Sequence, residues 1–336
     1  MRITRDALVK LARDTVKQRV SADHNLVAAY MVGSTQTDVP FLGGAADVDL
    51  VLLCIQQPLV TREIVRLSPD FHLDMYYWET TALEPPRKLR TDPLLGYVIY
   101  APAVLYDTRH FLEYAQAIVR AQFDDPPNLL ARVRHHSDPA RRLWMDLQSG
   151  AGDPRPADML KYLQGVHHAA QAFALFDGPP LAERRFLLEF AARVAVAGSP
   201  ELHESLLELV GGLAFDPDET AYMLPAWEST FVEAARGGEN PSIHPARLNY
   251  YKRGIEALLR GDAPSAALWP LIHTWTAAAA SLPGYGDEVK NWAQALSALG
   301  LAGEGFEYRL GGLDRFLDSL EEKCDSYAAE YGLEQE

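Results

Sequence analysis

The stretch Met31-Val32-Gly33-Ser34 ends one apolar run, and the stretch Asp47-Val48-Asp49-Leu50 opens another after twelve intervening residues. A third aspartate, Asp74, lies inside the apolar and aromatic run 71–78. Short apolar runs bounded by turn residues are typical of buried strands. The sequence therefore predicts three strands, with a glycine–serine turn after the first and carboxylates on the other two.

The strand period places these carboxylates together. Side chains alternate between the two faces of a strand, so Asp47 and Asp49 are predicted on one face, with Val48 and Leu50 on the other. Asp74, on a neighbouring strand, can reach the same place. Carboxylates crowded in this way repel one another, and a divalent cation removes that penalty. The pattern predicts a site for Mg2+ or Mn2+, because hard cations prefer oxygen ligands.

The glycine–serine turn supplies the second half of the predicted site. Gly33 has no Cβ, so the backbone there can approach a phosphate closely. Ser34 offers a hydroxyl and a backbone N–H to the same phosphate. Two metal ions bridged by carboxylates can activate an attacking oxygen and stabilise a leaving pyrophosphate. These residues together predict a site for a nucleoside triphosphate and a two-metal mechanism.

This pattern resembles the signature of the DNA polymerase β-like nucleotidyltransferase superfamily. That signature is a hydrophobic residue, Gly, then Gly or Ser, a spacer, two acids separated by one apolar residue, and a third acid on a later strand. Within the superfamily the chain is most similar to the kanamycin nucleotidyltransferase-type enzymes. The resemblance implies that Gly33 and Ser34 hold the triphosphate and that Asp47 and Asp49 hold metal. It also implies that Asp74 completes the metal site and helps to activate the acceptor hydroxyl.

The predicted fold class is α+β. An N-terminal nucleotidyltransferase fold, a small mixed sheet with flanking helices, is followed by an all-α up-and-down helical bundle. The run Asp124-Asp125-Pro126-Pro127-Asn128 is the predicted boundary, which gives domains 1–123 and 124–336. Thr4 is predicted to cap the first helix. The other elements predicted between the motif and the boundary are a short helical link over 64–67, strands over 97–100 and 103–107, and a helix over 111–122.

Several residues have an ordinary interpretation beside the functional one. A glycine–serine pair is most often a turn, and Asp-x-Asp often marks a solvated strand edge. Asp70 competes with Asp74 for the role of third acid, but Ser68-Pro69 before it predicts a turn, which favours Asp74. Asp107 is predicted to cap a helix. The basic stretch 87–90 is interpreted as a solvated loop, with a phosphate or acceptor clamp as the functional alternative.

The predicted helical domain offers one candidate nucleotide contact. In the kanamycin-type enzymes a glutamate of the second domain is the general base and a nearby lysine contacts the nucleotide. Asp158 and Lys161 have compatible i, i+3 spacing on the helix predicted over 157–176, so Lys161 is the candidate contact, while the base is left unassigned unless Asp74 serves. Adjacent histidines at 135–136 and 167–168 lack the i, i+4 spacing of a helical zinc site, which favours packing roles.

Composition narrows the partners. The formal net charge of −15 argues against a nucleic-acid partner and favours a small acceptor; an acidic groove would suit a cationic one such as an aminoglycoside. The two cysteines, Cys54 and Cys324, form no disulfide framework or zinc pattern. No signal peptide and no apolar run long enough to cross a membrane is found, so a cytoplasmic location is expected. The oligomeric state, including a homodimer, is left open.

The function predicted from these features is metal-dependent transfer of a nucleoside monophosphate. The donor is an NTP co-substrate, with ATP as the first choice, and the acceptor is a hydroxyl of a small molecule, with release of pyrophosphate. Transfer to a protein or RNA is the alternative enzyme function. A nucleotide-binding or interaction module without turnover is the alternative outside enzymes.

Overall fold

A computed structural model describes residues 3–37, 39–148, 153–238, 240–284 and 286–333. The fold is α+β, and the chain divides into two compact units, Met1–Leu129 and Leu130–Glu336. The first unit contains a five-stranded sheet, and the described part of the second is helical. The predicted boundary, between residues 123 and 124, falls a few residues before this division.

The first helix, α1 (Arg5–Ala22), begins where the sequence predicts. The side chain of Thr4 accepts a hydrogen bond from the backbone N–H of Ala7 at 3.3 Å, which confirms the predicted N-cap. Leu8, Ala12 and Val16 are buried and share one face of the helix. This face packs on the sheet.

The sheet is mixed, and its central strands carry the predicted aspartates. Its strands, in chain order, are β1 (Leu26–Val32), β2 (Ala46–Cys54), β3 (Arg62–Arg66), β4 (Phe71–Glu79) and β5 (Ala103–Asp107). Their spatial order is β3-β4-β2-β1-β5. Strands β2 and β4 are parallel, and the other neighbouring pairs are antiparallel. The ends of β1 and the beginnings of β2 and β4 therefore lie at the same edge of the sheet.

Two predicted elements of this unit are wrong. The segment predicted as a helical link around 64–67 is strand β3, because Ile64 and Val65 are β-branched and the chain turns back after them to pair antiparallel with β4. The segment predicted as a strand over 97–100 is helix α2 (Leu95–Tyr100). Its first turn is fixed by Asp92, whose carboxylate accepts from the N–H groups of Leu94 and Leu95 at 2.9 and 2.7 Å.

The two faces of the sheet bury different sets of side chains. Val48 and Leu50 of β2 lie on the face covered by α1. Val51 and Leu53 lie on the opposite face, which packs against α2 and helix α3 (Phe111–Arg120). Because side chains alternate, Asp47 and Asp49 share this second face, as the sequence predicts.

The described part of the second unit is built from helices and short 3-10 turns. The helices are α4 (Pro126–Leu147, which begins in the first unit), α5 (Pro156–Leu175), α6 (Phe186–Val196), α7 (Glu201–Leu209), α8 (Pro217–Ala235), α9 (Leu248–Leu259), α10 (Leu268–Ala280), α11 (Asp287–Ala298) and α12 (Glu304–Glu330). Helix α10 is buried on nearly all sides and forms the centre of the unit. Among the described residues, no helix combines the length and the apolar character needed to span a bilayer.

Side chains in the second half of α4 bind α12. Trp144 donates its indole N–H to the carbonyl of Leu310 at 3.1 Å. Arg141 of α4 binds three acids spaced along one face of α12 at 2.6–2.7 Å, namely Asp314, Asp318 and Glu321. Later residues of α4 thus contact earlier residues of α12, so the two helices run antiparallel.

Candidate functional site

The glycine–serine turn lies at the end of β1 and requires glycine. Gly33 has φ +77° and ψ −162°, a backbone conformation that is essentially restricted to glycine. A Cβ placed on Gly33 would lie 2.1 Å from Oδ2 of Asp49. The turn and the carboxylate of Asp49 are therefore in contact, and a side chain at position 33 would push them apart.

The same turn touches the second carboxylate. The hydroxyl of Ser34 lies 3.5 Å from Oδ1 of Asp47, at the outer limit of a hydrogen bond. Asp47 is 6% exposed, whereas Asp49 is partly exposed. The turn is held from below by Arg5 of α1, whose Nε donates to the carbonyl of Thr35 at 2.9 Å. The structure thus brings Gly33, Ser34, Asp47 and Asp49 together, although they are separated in sequence.

Asp74 lies in the same row as these acids but has a different partner. It is directly opposite Asp49 in the parallel pairing of β2 and β4. Arg62 of β3 binds both of its oxygens, with Nε to Oδ1 at 2.9 Å and Nη2 to Oδ2 at 2.7 Å. The side chain of Asp74 is fully buried. The third acid is therefore where the strand pattern predicts it, with its charge balanced by an arginine.

The described residues contain no group of three or more His, Cys, Asp or Glu side chains arranged to hold a metal ion. The predicted gathering of three carboxylate ligands is thus not found in this part of the chain, because the oxygens of Asp74 bind Arg62. Asp47 and Asp49 are the two carboxylates that adjoin the turn. Arg62 is a residue that the sequence pattern does not point to, because it precedes the segment 64–67 that is predicted as a helical link and no strand is predicted there. The adjacent β-branched residues Ile64 and Val65 are the signal that favours a strand there.

Two other acids have structural roles. Asp70 lies in the connection between β3 and β4, where its backbone N–H donates to the hydroxyl of Ser68 at 3.3 Å. Asp107 accepts from the N–H groups of Phe111 and Leu112 at 3.0 and 2.9 Å, which confirms that it caps the start of α3. The carboxylate of Asp107 is thus used at the start of a helix, whereas the contact at Asp70 is made by its backbone N–H.

The basic residues between β4 and α2 differ in their contacts. Arg87 and Lys88 are exposed on a 3-10 turn, Pro86–Thr91. Arg90 instead donates twice to the carbonyl of Ile118, from Nε at 2.9 Å and from Nη2 at 2.6 Å. Arg90 therefore ties this turn to α3. The phosphate or acceptor clamp stays a prediction for Arg87 and Lys88.

The second unit contains the remaining candidates. Lys161 is exposed on α5, and Asp158 binds Arg155 through Nε at 2.8 Å. A role for Lys161 as a nucleotide contact stays a prediction. The two histidine pairs meet across helices α4 and α5, where Nδ1 of His136 lies 2.8 Å from Nδ1 of His168. Burial, with the nearby histidines, lowers the pKa of His136 to about 4, so His136 is neutral at pH 7.

One ionised carboxylate of this unit was not foreseen. Oε1 of Glu183 lies 3.1 Å from Nδ1 of His273, and its Oε2 accepts from the hydroxyl of Tyr251 at 2.9 Å. Burial alone would raise the pKa of Glu183, but His273, Arg247 and Tyr251 together lower it to about 2. No sequence pattern points to this cluster, because its members are far apart along the chain.

Comparison with known proteins adds little to this geometry. No protein-family model and no curated protein matches the chain. The chain is similar to a solved structure, the crystal structure of a nucleotidyltransferase-like protein from Exiguobacterium sibiricum 255-15, with 12% sequence identity and a TM-score of 0.33. The similarity covers 58% of this chain and 66% of that chain, so the chain spans just under two thirds of that protein. At this level of similarity, the geometry of the site is what bears on function.

Proposed function

We propose that this protein is a metal-dependent nucleotidyltransferase. It transfers a nucleoside monophosphate from a nucleoside triphosphate, with ATP as the first donor to test, to a hydroxyl of a small-molecule acceptor. A bond forms between the acceptor oxygen and the α-phosphorus, the α–β phosphoanhydride breaks, and pyrophosphate leaves. The observation that carries the proposal is the contact between the Gly33 turn and Asp49, with Asp47 beside Ser34.

This donor set fits a divalent cation. Mg2+ is commonly held by one or two carboxylates and takes its other ligands from water and substrate phosphates. Asp47 and Asp49 project from one face of β2 and adjoin a turn that only glycine can form, so both would hold the ion. Bound cations would favour ionisation of the attacking hydroxyl and neutralise charge on the leaving pyrophosphate. Asp74 is not assigned as a ligand, because Arg62 already binds both of its oxygens.

The turn itself would bind the triphosphate. The absence of a Cβ at Gly33 lets phosphate oxygens come close to the backbone, and the hydroxyl and N–H of Ser34 are donors to them. Positioning of the reactants and neutralisation of their charge supply most of the rate enhancement in phosphoryl transfer. A site built from backbone groups and metal-binding carboxylates suits this chemistry. The net charge of −15 favours a cationic acceptor, for which aminoglycosides are the first class to screen.

Pyrophosphate release across a panel of hydroxylated acceptors tests the proposal. The assay is run with each of the four common NTPs, with Mg2+, with Mn2+ and with a chelator. We expect release that depends on metal and acceptor and is lost in Asp49→Asn. Asp70→Asn is the matched control and should retain activity, because Asp70 lies in the connection between β3 and β4, outside the proposed site. Full activity of Asp49→Asn would overturn the assignment.

Nucleotide binding without transfer is the second candidate function. It is favoured by the pairing of Asp74 with Arg62 and by the lack of a three-ligand metal group among the described residues. Isothermal titration with ATP and Mg2+ separates the two functions. Tight binding with no pyrophosphate release for any acceptor supports the binding module, whereas turnover excludes it. If turnover is seen only with RNA or a protein as acceptor, transfer to a macromolecule replaces the small-molecule proposal.

A further inference from the structure

The guanidinium of Arg62 is held in one place from two sides. Asp74 binds it through two parallel hydrogen bonds, and the ring of Tyr76 lies beneath it, with 4.7 Å from Cζ to the ring centroid. Paired N–H groups meeting both carboxylate oxygens fix the plane of a guanidinium as well as its position. The side chain is 22% exposed while Asp74 is fully buried, so the cation faces outward from a buried anchor.

This cation lies on the same face of the sheet as the proposed site. Arg62 pairs with Tyr76, and Ile64 with Asp74, in the antiparallel ladder of β3 and β4. Asp74 in turn is the direct partner of Asp49 on β2. Residues opposite one another on neighbouring strands share a face and lie about 5 Å apart. Arg62 itself lies two strands from Asp49, but its guanidinium binds Asp74 on the strand between them, so a fixed positive charge lies next to the strand that carries Asp49.

Physical chemistry separates two roles for Asp74. To serve as a metal ligand, Asp74 would have to give up the paired hydrogen bonds that Arg62 donates to both of its oxygens. Mg2+ needs only one or two protein carboxylates, which Asp47 and Asp49 provide. Phosphate oxygens, in contrast, are matched by a planar guanidinium that is already positioned. The geometry thus favours Asp74 as the residue that holds Arg62 in place, and not as a metal ligand.

We propose that Arg62 binds phosphate oxygens of the nucleotide and that Asp74 is the positioning residue that holds its guanidinium in place. This inference rests on the proposed nucleotide site. It changes the chemistry assigned to the third acid, which acts through an arginine instead of through a metal ion. Nucleotide affinity then depends on Asp74, whereas metal affinity depends on Asp47 and Asp49.

The test measures metal and nucleotide separately. Electron paramagnetic resonance gives Mn2+ affinity, with and without α,β-methylene ATP, which cannot transfer its nucleotide. Isothermal titration gives the affinity for that analogue. We expect Asp49→Asn to lose Mn2+ binding. We expect Asp74→Asn to keep Mn2+ affinity in the free protein within about twofold while weakening analogue binding about tenfold, equivalent to ~1.4 kcal/mol.

Variants of the arginine complete the test. Arg62→Gln should weaken binding of the analogue as much as Asp74→Asn does. Arg62→Lys should give an intermediate loss, because lysine keeps the positive charge but lacks the planar pair of N–H donors. Arg66→Gln is the matched control, an exposed arginine of the same strand and face, and should bind like wild type. Since Asp74→Asn leaves Arg62 unpaired and can disturb folding, the double variant Arg62→Gln/Asp74→Asn is also measured. It should retain Mn2+ and match the single arginine variant.

Each contrary outcome is distinct. Loss of Mn2+ in the folded double variant makes Asp74 a ligand and overturns the proposal. Unchanged analogue affinity in Arg62→Gln overturns the role of the arginine, even if the nucleotide site itself stands. Wild-type protein that binds neither Mn2+ nor the analogue overturns the proposed function, and this inference with it.

Discussion

Replacing Gly33 with alanine should both destabilise the first unit and displace Asp49. The backbone at Gly33, with φ +77° and ψ −162°, costs a residue with a Cβ about 1–3 kcal/mol. The new methyl would lie 2.1 Å from Oδ2 of Asp49, far inside van der Waals contact, so the carboxylate must move. Overpacking of this kind adds about 1–3 kcal/mol. We expect a loss of roughly 2–6 kcal/mol in the free energy of unfolding, with Mn2+ binding weakened at least tenfold.

Gly44→Ala separates the two causes. Gly44 has φ +78°, and a Cβ there would meet nothing within 4 Å. It should therefore cost about 1 kcal/mol, from backbone strain alone, and leave Mn2+ binding unchanged. Urea unfolding followed by circular dichroism gives the stability, and paramagnetic resonance gives the metal affinity. Equal losses of stability in both variants, with metal binding intact in Gly33→Ala, would refute the packing argument.

Three further predictions concern charge, pH and capping. Asp49→Asn should lower the rate of pyrophosphate release by roughly 100-fold or more, while the urea midpoint changes little. The pKa values of His136 and His167 are lowered to about 4 and about 3, chiefly by burial, so the unfolded chain binds more protons below pH 6.5 and stability should fall from there towards pH 4. His136→Gln should flatten part of that slope. Asp107→Ala removes two hydrogen bonds at the start of α3 and should cost about 1 kcal/mol, with activity retained.

The contrary results for these three are equally definite. Equal loss of activity in Asp49→Asn and Asp70→Asn would mean that the assay reports folding and not the site. A urea midpoint that stays constant between pH 6.5 and pH 4 would contradict neutral burial of the histidines. Loss of pyrophosphate release in a stable Asp107→Ala protein would make the capping residue part of the site.

The sheet was largely predictable because its central strands are long apolar runs. Strand β1 ends at Val32, just before the predicted turn; β2 begins one residue before Asp47, and β4 extends one residue beyond the predicted run 71–78. The errors fall on short elements. Strand β3 has five half-buried or exposed residues at the edge of the sheet, so its sequence carries little apolar signal. Helix α2 has six residues, too few for a helical period to be recognised among aromatic side chains.

The site was predictable as far as it depends on neighbouring positions in one strand. The shared face of Asp47 and Asp49 follows from the strand period, and the need for glycine at position 33 follows from the turn. The partner of Asp74 could not be predicted in this way. It depends on which strand lies at the outer side of β4, and that pairing is fixed by tertiary structure. The side chain predicted as a metal ligand, Asp74, is bound by Arg62 in the structure.

The antiparallel contact of α4 with α12 joins the first and the last described helices of the second unit. The start of α4 and the end of α12 lie on the same side of the unit, and Arg141 joins the second half of α4 to the middle of α12. We expect this unit to tolerate circular permutation, because new termini at an exposed connection would leave the contacts between α4 and α12 intact. The connection after α6, where Val196 is 89% exposed, is a suitable place to open it.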